Sequence, residues 1–288
     1  VKRKTKVYRL LTDYLGLGAV LAVLIIIFGM TTEHFLTLTT FRTIANQIPD
    51  AIIIAVGMTF VLIIAGIDLS VGSVLALSGA VLGVCLVRGH FPLPLAMLVC
   101  LATGLGCGAL NGVLTTGWRL PSFIVTLGMM EVARGGAYLV TDSRTQYIGS
   151  SIEGIAGGAL FGLSAPFVVA IGVVVAGQLV LSGTVFGRHM FAVGANEETA
   201  RLSGLNVGAI KLIVFTLSGC CASLAAVIHC SRLTAADPNA GAGYELQAIA
   251  AVVIGGTSLM GGRGSVINTF FGVLIIAVLE NGLVQVGA

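Results

Sequence analysis

Charge is scarce in this sequence: Asp, Glu, Lys and Arg make up 9% of its 288 residues, against roughly 25% in an ordinary globular domain. With 57% hydrophobic residues and a mean hydropathy of +1.05, that scarcity excludes a soluble fold and predicts an integral membrane protein. Short alternating segments are missing too, which excludes an outer-membrane barrel: the apolar runs have helical length. The six cysteines (Cys85, Cys100, Cys107, Cys220, Cys221 and Cys230) have neither disulfide nor metal-ligand spacing and are read as small hydrophobic residues. None of His34, His90, His189 or His229 has a second ligand at metal spacing or a nucleophile nearby in sequence. Each is expected to be an interfacial or loop histidine, so no catalytic and no metal site is expected. The glycines at 261–265 are not followed by Lys-Ser/Thr or preceded by a strand, which excludes a phosphate-binding loop.

What is present is a series of apolar stretches, at 14–30, 49–66, 71–87, 93–115, 121–140, 165–182, 209–230, 247–258 and 266–285. They predict an all-α, polytopic helical membrane protein with about nine spans, and the 40 glycines suit closely packed membrane helices. The first stretch has a long basic flank and no small-residue cleavage site, so it is expected to be a span and not a cleavable signal. The 247–258 stretch is too short for a straight crossing of about 30 Å and is expected to extend upstream, tilt, or break at the glycines that follow. Basic residues set the orientation. With the N-terminus inside, the inner side collects ten (Lys2, Arg3, Lys4, Lys6, Arg9, Arg119, Arg188, Arg201, Lys211, Arg263). The outer side collects four (Arg42, Arg88, Arg144, Arg232), with Arg134 inside a span.

On the inner side that assignment places a polar island, 186–211. Within it a short helix is predicted at 196–204, with Asn196 as N-cap, Glu197 and Glu198 in the first turn, Arg201 toward the end, and Gly204 at the C-terminus. So short a helix is not stable alone and needs a surface to pack against, for which a partner protein is the natural candidate. Two glycine-rich turns, 65–73 and 255–265, share an order of residues that hints at a parallel internal repeat offset by roughly 190. Glu131 and Arg134 are expected to pair locally, since isolated charges at membrane depth are costly. Asp68 precedes a helix start and is expected to cap it. Asn46, Gln47, Asp68, Asn111, Asn281 and Gln285 either line a polar pathway or bind helices together.

Four runs, 56–77 (VGMTFVLIIAGIDLSVGSVLAL), 120–130 (LPSFIVTLGMM), 192–207 (AVGANEETARLSGLNV) and 243–266 (GYELQAIAAVVIGGTSLMGGRGSV), resemble the ribose-type permeases of bacterial ABC sugar importers. The resemblance spans close to the whole chain. It implies a single transmembrane permease domain over 1–288, usually of ten spans in the family, with a cytoplasmic coupling loop at 186–211. It also implies a bacterial inner-membrane location, ATP-driven uptake of a monosaccharide by alternating access, and no catalysis by this chain. ATP and Mg would be bound by a partner ABC ATPase subunit, with no cofactor in this chain. A second permease copy or paralogue, a periplasmic sugar-binding protein and membrane lipid are the other implied partners, and no nucleic acid is. The 192–207 run matches the family's coupling segment, so Asn196, Glu197, Glu198, Arg201, Leu202 and Gly204 are the expected contacts to the ATPase. Ala195 departs from the family in standing where many relatives have a second glycine.

A sister permease for a nucleoside, a polyol or a furanose signalling molecule is the nearest alternative. A secondary carrier, with Asp68 and Glu131 as coupling groups, is the alternative of another class. With only dispersed Ser, Thr and Asn in the interior and the one Trp expected at the cytoplasmic edge, weak sugar contacts are expected here, with selectivity supplied mainly by the binding protein.

Overall fold

The computed structural model describes residues 2–160 and 163–287, with side chains described from residue 15 onward except at 159 and 160. Thirteen helices fill these residues: α1 Lys2–Thr31, α2 Leu38–Gln47, α3 Pro49–Ile63, α4 Val71–Val87, α5 Leu93–Gly117, α6 Ser122–Thr141, α7 Ser150–Gly157, α8 Ala165–Gly183, α9 Val185–Ala195, α10 Glu197–Leu202, α11 Val207–Leu233, α12 Tyr244–Ile254 and α13 Val266–Val286. Strands are limited to four two-residue pieces, β1 Gln146–Tyr147, β2 Ala159–Leu160, β3 Leu163–Ser164 and β4 Ala235–Ala236. These pair antiparallel as β1 with β4 and β2 with β3. All nine expected stretches fall on helices. Helices α5, α6, α8, α11 and α13 are each long and apolar enough to cross a membrane, and α2 with α3 makes a sixth such unit, bent by 48°. Pro49 stands in the first turn of α3, where its missing N–H costs nothing, so the chain turns there without losing a helical bond.

Helix α3 is the core. All its residues except Ala51 are buried, as expected of a helix that is apolar on every side. It packs against α8, α11, α12 and α13, and its Thr59 hydroxyl lies 2.8 Å from that of Thr269 on α13. Its other large neighbour, α11, lies against α5 along a glycine seam. Gly104, Gly108 and Gly112 recur every fourth residue on α5 and face Gly219, Phe215 and Leu212 of α11 backbone to backbone.

Two interruptions shape the ends of α3 and α12, and they are built alike. At the end of α3 the Ala65 N–H donates to the Leu62 carbonyl and the Gly66 N–H to Val61. At the end of α12 the Gly256 N–H donates to Val253 and the Thr257 N–H to Val252. Both are Schellman closures, 191 residues apart, which agrees with the repeat offset read from the sequence. The left-handed position is held by Gly256 (φ 82°) in the second turn but by Ala65 (φ 57°), not Gly66, in the first.

Helix α12, with 11 residues, rises only about 16 Å. It begins inside the bundle because the chain before it descends along α4. Ala236 lies against Gly83, and Gly241 against Gly72, eleven residues lower on α4. The Arg134 guanidinium holds this descending segment, donating to the carbonyls of Pro238 at 2.7 Å and Ala240 at 2.9 Å. The expected Glu131/Arg134 pair is therefore not formed: the carbonyls of Pro238 and Ala240, which have no other donor among the described residues, take up the guanidinium, and Glu131 is left exposed.

Two outcomes follow. Gly219→Val should destabilise the protein by about 1–3 kcal/mol through overpacking, whereas Gly106→Ala, which meets open space, should not; thermal unfolding in detergent measures both. In the same assay Arg134→Ala should lower the melting temperature, while Glu131→Ala should leave it within error.

Candidate functional site

The predicted short helix is present with the expected ends. The Asn196 side chain accepts from the Thr199 N–H at 2.8 Å. At the other end Gly204 (φ 83°) permits a Schellman closure, with the Gly204 N–H on Arg201 and the Leu205 N–H on Ala200. Glu197 bonds along the helix to Arg201 at 3.0 Å and inward to Lys211 at 2.6 Å, tying α10 to the second turn of α11. Ala200 is buried beneath the helix, while Glu198, Arg201 and Leu202 face outward, with Leu202 82% exposed. A six-residue helix thus displays one bare leucine flanked by charge.

Its root joins both interruptions. The Gly262 N–H donates to the Ile63 carbonyl at 2.9 Å. A side chain at Gly194 would collide with that carbonyl and with the Gly262 nitrogen, and Gly261 and Gly262 lie against Ala65, Gly194 and Ala195. Three backbones, from the end of α3, the turn after α12 and the residues preceding α10, therefore meet with nothing larger than the methyl groups of Ala65 and Ala195 between them.

Beyond this junction the chain from Ile67 to Ser70 is neither helix nor strand, and neighbouring side chains satisfy it. Ser122 accepts from the Ile67 N–H and Thr126 from the Leu69 N–H. Asp68 is buried and does not cap α4: its Oδ1 accepts from the backbone N–H and hydroxyl of Ser70, and its Oδ2 from Ser218 at 2.8 Å. The helix starts after Ser70, which leaves Asp68 to fix the turn before it. Asn111 joins the network by donating to the Ser70 hydroxyl at 3.0 Å.

At the opposite end of α3 lies a cavity of about 630 Å³, bounded by the α2–α3 bend, the end of α11, and α12 and α13. Gln47 and Asn281 line it, as two of the six residues proposed for a pathway or for binding helices together; Asn46 contributes its backbone carbonyl at the rim, Gln285 donates to Thr40 and Asn281, and Asp68 and Asn111 lie in the separate network described above. Its polar centre was not anticipated. Asp50, fully buried in the first turn of α3, accepts from His229 Nδ1 at 2.7 Å and from Arg232 at 3.1 Å, with the Tyr244 hydroxyl 3.5 Å away. Arg232 also donates to the carbonyls of Asn46 and Gln47, closing the end of α2. His229 is accordingly a buried helix residue and not a loop histidine. Gln247 and Glu280 bond across α12 and α13 at 2.8 Å. The interior polar groups thus converge where the sequence suggests dispersal, because α3, α11, α12 and α13 bring together residues nearly two hundred positions apart.

Asp50→Ala should cost about 3–5 kcal/mol, the usual penalty for breaking a buried ion pair, because it strips the acceptor from His229 and Arg232 together. Asp50→Asn should fall between the two. Equal melting temperatures for Asp50→Ala and the parent in detergent would mean the cluster carries no stability.

The family described as branched-chain amino acid transport system / permease component matches residues 40–288. The chain is 43% identical over 268 residues to the ribose import permease protein of Haemophilus influenzae, covering 91% of this chain and 83% of that one. It is 42% identical over 273 residues to the ribose import permease protein of Escherichia coli K12 (93% and 84% covered). To the D-allose transport system permease protein of the same strain it is 37% identical over 279 residues (96% and 85% covered).

Proposed function

The chain belongs to the branched-chain amino acid transport system / permease component family, and from that membership together with its similarity to ribose and D-allose permeases we propose that it is the membrane-spanning subunit of a bacterial ABC importer for a monosaccharide such as ribose. It sits in the inner membrane as a multi-pass protein, with the N-terminus and α10 in the cytoplasm, as the ten-to-four distribution of basic residues favours. It carries out no bond chemistry. A separate ATPase subunit binds ATP and Mg and hydrolyses the nucleotide, a periplasmic sugar-binding protein delivers the substrate, and a second permease copy or paralogue completes the pathway.

The observation that carries this reading is the three-backbone junction beneath α10. A partner that grips the exposed Glu198, Arg201 and Leu202 pulls on Gly194 and Ala195, and these abut the end of α3 and the turn after α12. No flexible side chain absorbs the displacement, so movement of α10 becomes movement of α3 and α12. Those two helices reach the cavity at the other end, and shifting them alternates its exposure.

Leu202→Asp tests the docking, since the Asn196 cap and the Glu197 ion pairs that hold α10 together remain. Copurification of the ATPase should fall, or ATP hydrolysis should continue without sugar uptake in proteoliposomes. Parental assembly and uptake in this variant would refute the docking.

A further inference from the structure

The cavity at the far end of α3 has the chemistry of a site and is not used by the junction. Its volume, about 630 Å³, falls within the roughly 300–1,000 Å³ of small-molecule sites. The oxygens of Asp50 are already engaged: Oδ2 by His229 and Arg232, and Oδ1 by the Ala51 N–H at 3.0 Å. Asp50 is therefore a frame and not a contact.

The opposite wall differs. Gln247 Nε2 donates to Glu280 Oε1, which leaves Gln247 Oε1 and Glu280 Oε2 as acceptors without partners among the described residues. Asn281 spends its Oδ1 on Gln285 at 3.0 Å and keeps its Nδ2 donors. Two acceptors and a donor group on adjoining turns of α12 and α13 match neighbouring hydroxyls, each of which donates once and accepts. Ile54, Val273 and Ile276 supply an aliphatic wall for the C–H face of a ring.

Electrostatics narrows the ligand class. Arg232 is neutralised by Asp50, so Glu280 is the uncompensated charge of the lining; it disfavours phosphorylated sugars and tolerates neutral ones. The lining has a single aromatic, Tyr244, which packs edge to face with His229, with ring centroids 6.2 Å apart, so the cavity holds no pair of rings to sandwich a sugar. Affinity is consequently low, as a transit site requires.

Resting on the reading of the chain as a sugar permease, we propose that this cavity is where the travelling sugar contacts the subunit, through Gln247, Glu280 and Asn281, with the Asp50 cluster as the positioning frame. The contact discriminates uncharged polyhydroxy compounds by their hydroxyls and supplements selection by the binding protein.

Two measurements on the complete transporter in proteoliposomes test it. The first compares uptake of D-ribose with 2-deoxy-D-ribose, each delivered by saturated binding protein. Gln247→Ala with Glu280→Gln should lower the parental preference by roughly threefold or more, since a site that hydrogen-bonds a hydroxyl penalises its absence. The second uses Ala277→Cys, which lines the cavity at a small position; a bulky thiol reagent should block uptake by this variant but not by the equally treated parent. An unchanged preference, or a labelled Ala277→Cys protein that transports like the parent, would overturn the site while leaving the importer reading intact. Absence of ATP-dependent uptake by the parent itself would remove the importer reading and the site with it.

Discussion

The bond from the Gly262 amide to the Ile63 carbonyl, with Gly194 pressed against it, is the constraint on which the rest of the molecule depends. It is possible only because glycines strip the side chains from two of the three crossing segments, which lets them reach the Ile63 carbonyl and Ala65 of the third. It also fixes where two helices stop. Helices α3 and α12 end in the same Schellman geometry, 191 residues apart, and each end faces the other across this bond. Helix α10 and the polar cavity thus occupy opposite ends of shared elements, which makes their coupling a matter of rigid packing and not of a chain of side-chain contacts.

The broken helices follow a common rule. Backbone that leaves helical geometry within a membrane must find partners inside the protein, and each interruption here is met by polar side chains of a neighbouring helix. Ser122 and Thr126 serve 67–69, Arg134 serves the carbonyls of 238 and 240, Gln178 accepts from the first amides of α13, and Arg232 closes the end of α2. The few charged residues of the interior are spent on such tasks. That is why Arg134 turns away from Glu131 and why Asp50 binds two cationic or potentially cationic groups at once.

Much of this was legible in the sequence, and for physical reasons. Apolar stretches longer than about 17 residues leave little choice but helix, so 71–87 coincides with α4 and 266–285 with all but the last residue of α13. The caps of α10 are local signals, read within a few residues of the bonds they make. Legibility fails where partners are distant: the Asp50 cluster joins residues 179 to 194 positions apart, and no local pattern announces it. Helices α2 and α9 were hidden for a different reason, since their polarity is mixed and neither has the length of a span. The recurrence of Gly104, Gly108 and Gly112 was an available signal for the α5–α11 seam. Ala65 was misleading, because a left-handed turn is ordinarily sought at glycine and the adjacent Gly66 offered itself.

The descent of residues 235–243 along α4 bears on how the protein is made. A helix of half-membrane length preceded by non-helical chain presents bare peptide groups, and lipid offers them nothing. Such a segment cannot leave the insertion machinery as an independent unit. Its groove is formed by α4 and its carbonyls are met by Arg134 of α6, both of which lie earlier in the chain and are synthesised first. The order of elements along the polypeptide therefore doubles as an order of assembly, in which the late half-helix is received by a berth already standing in the membrane.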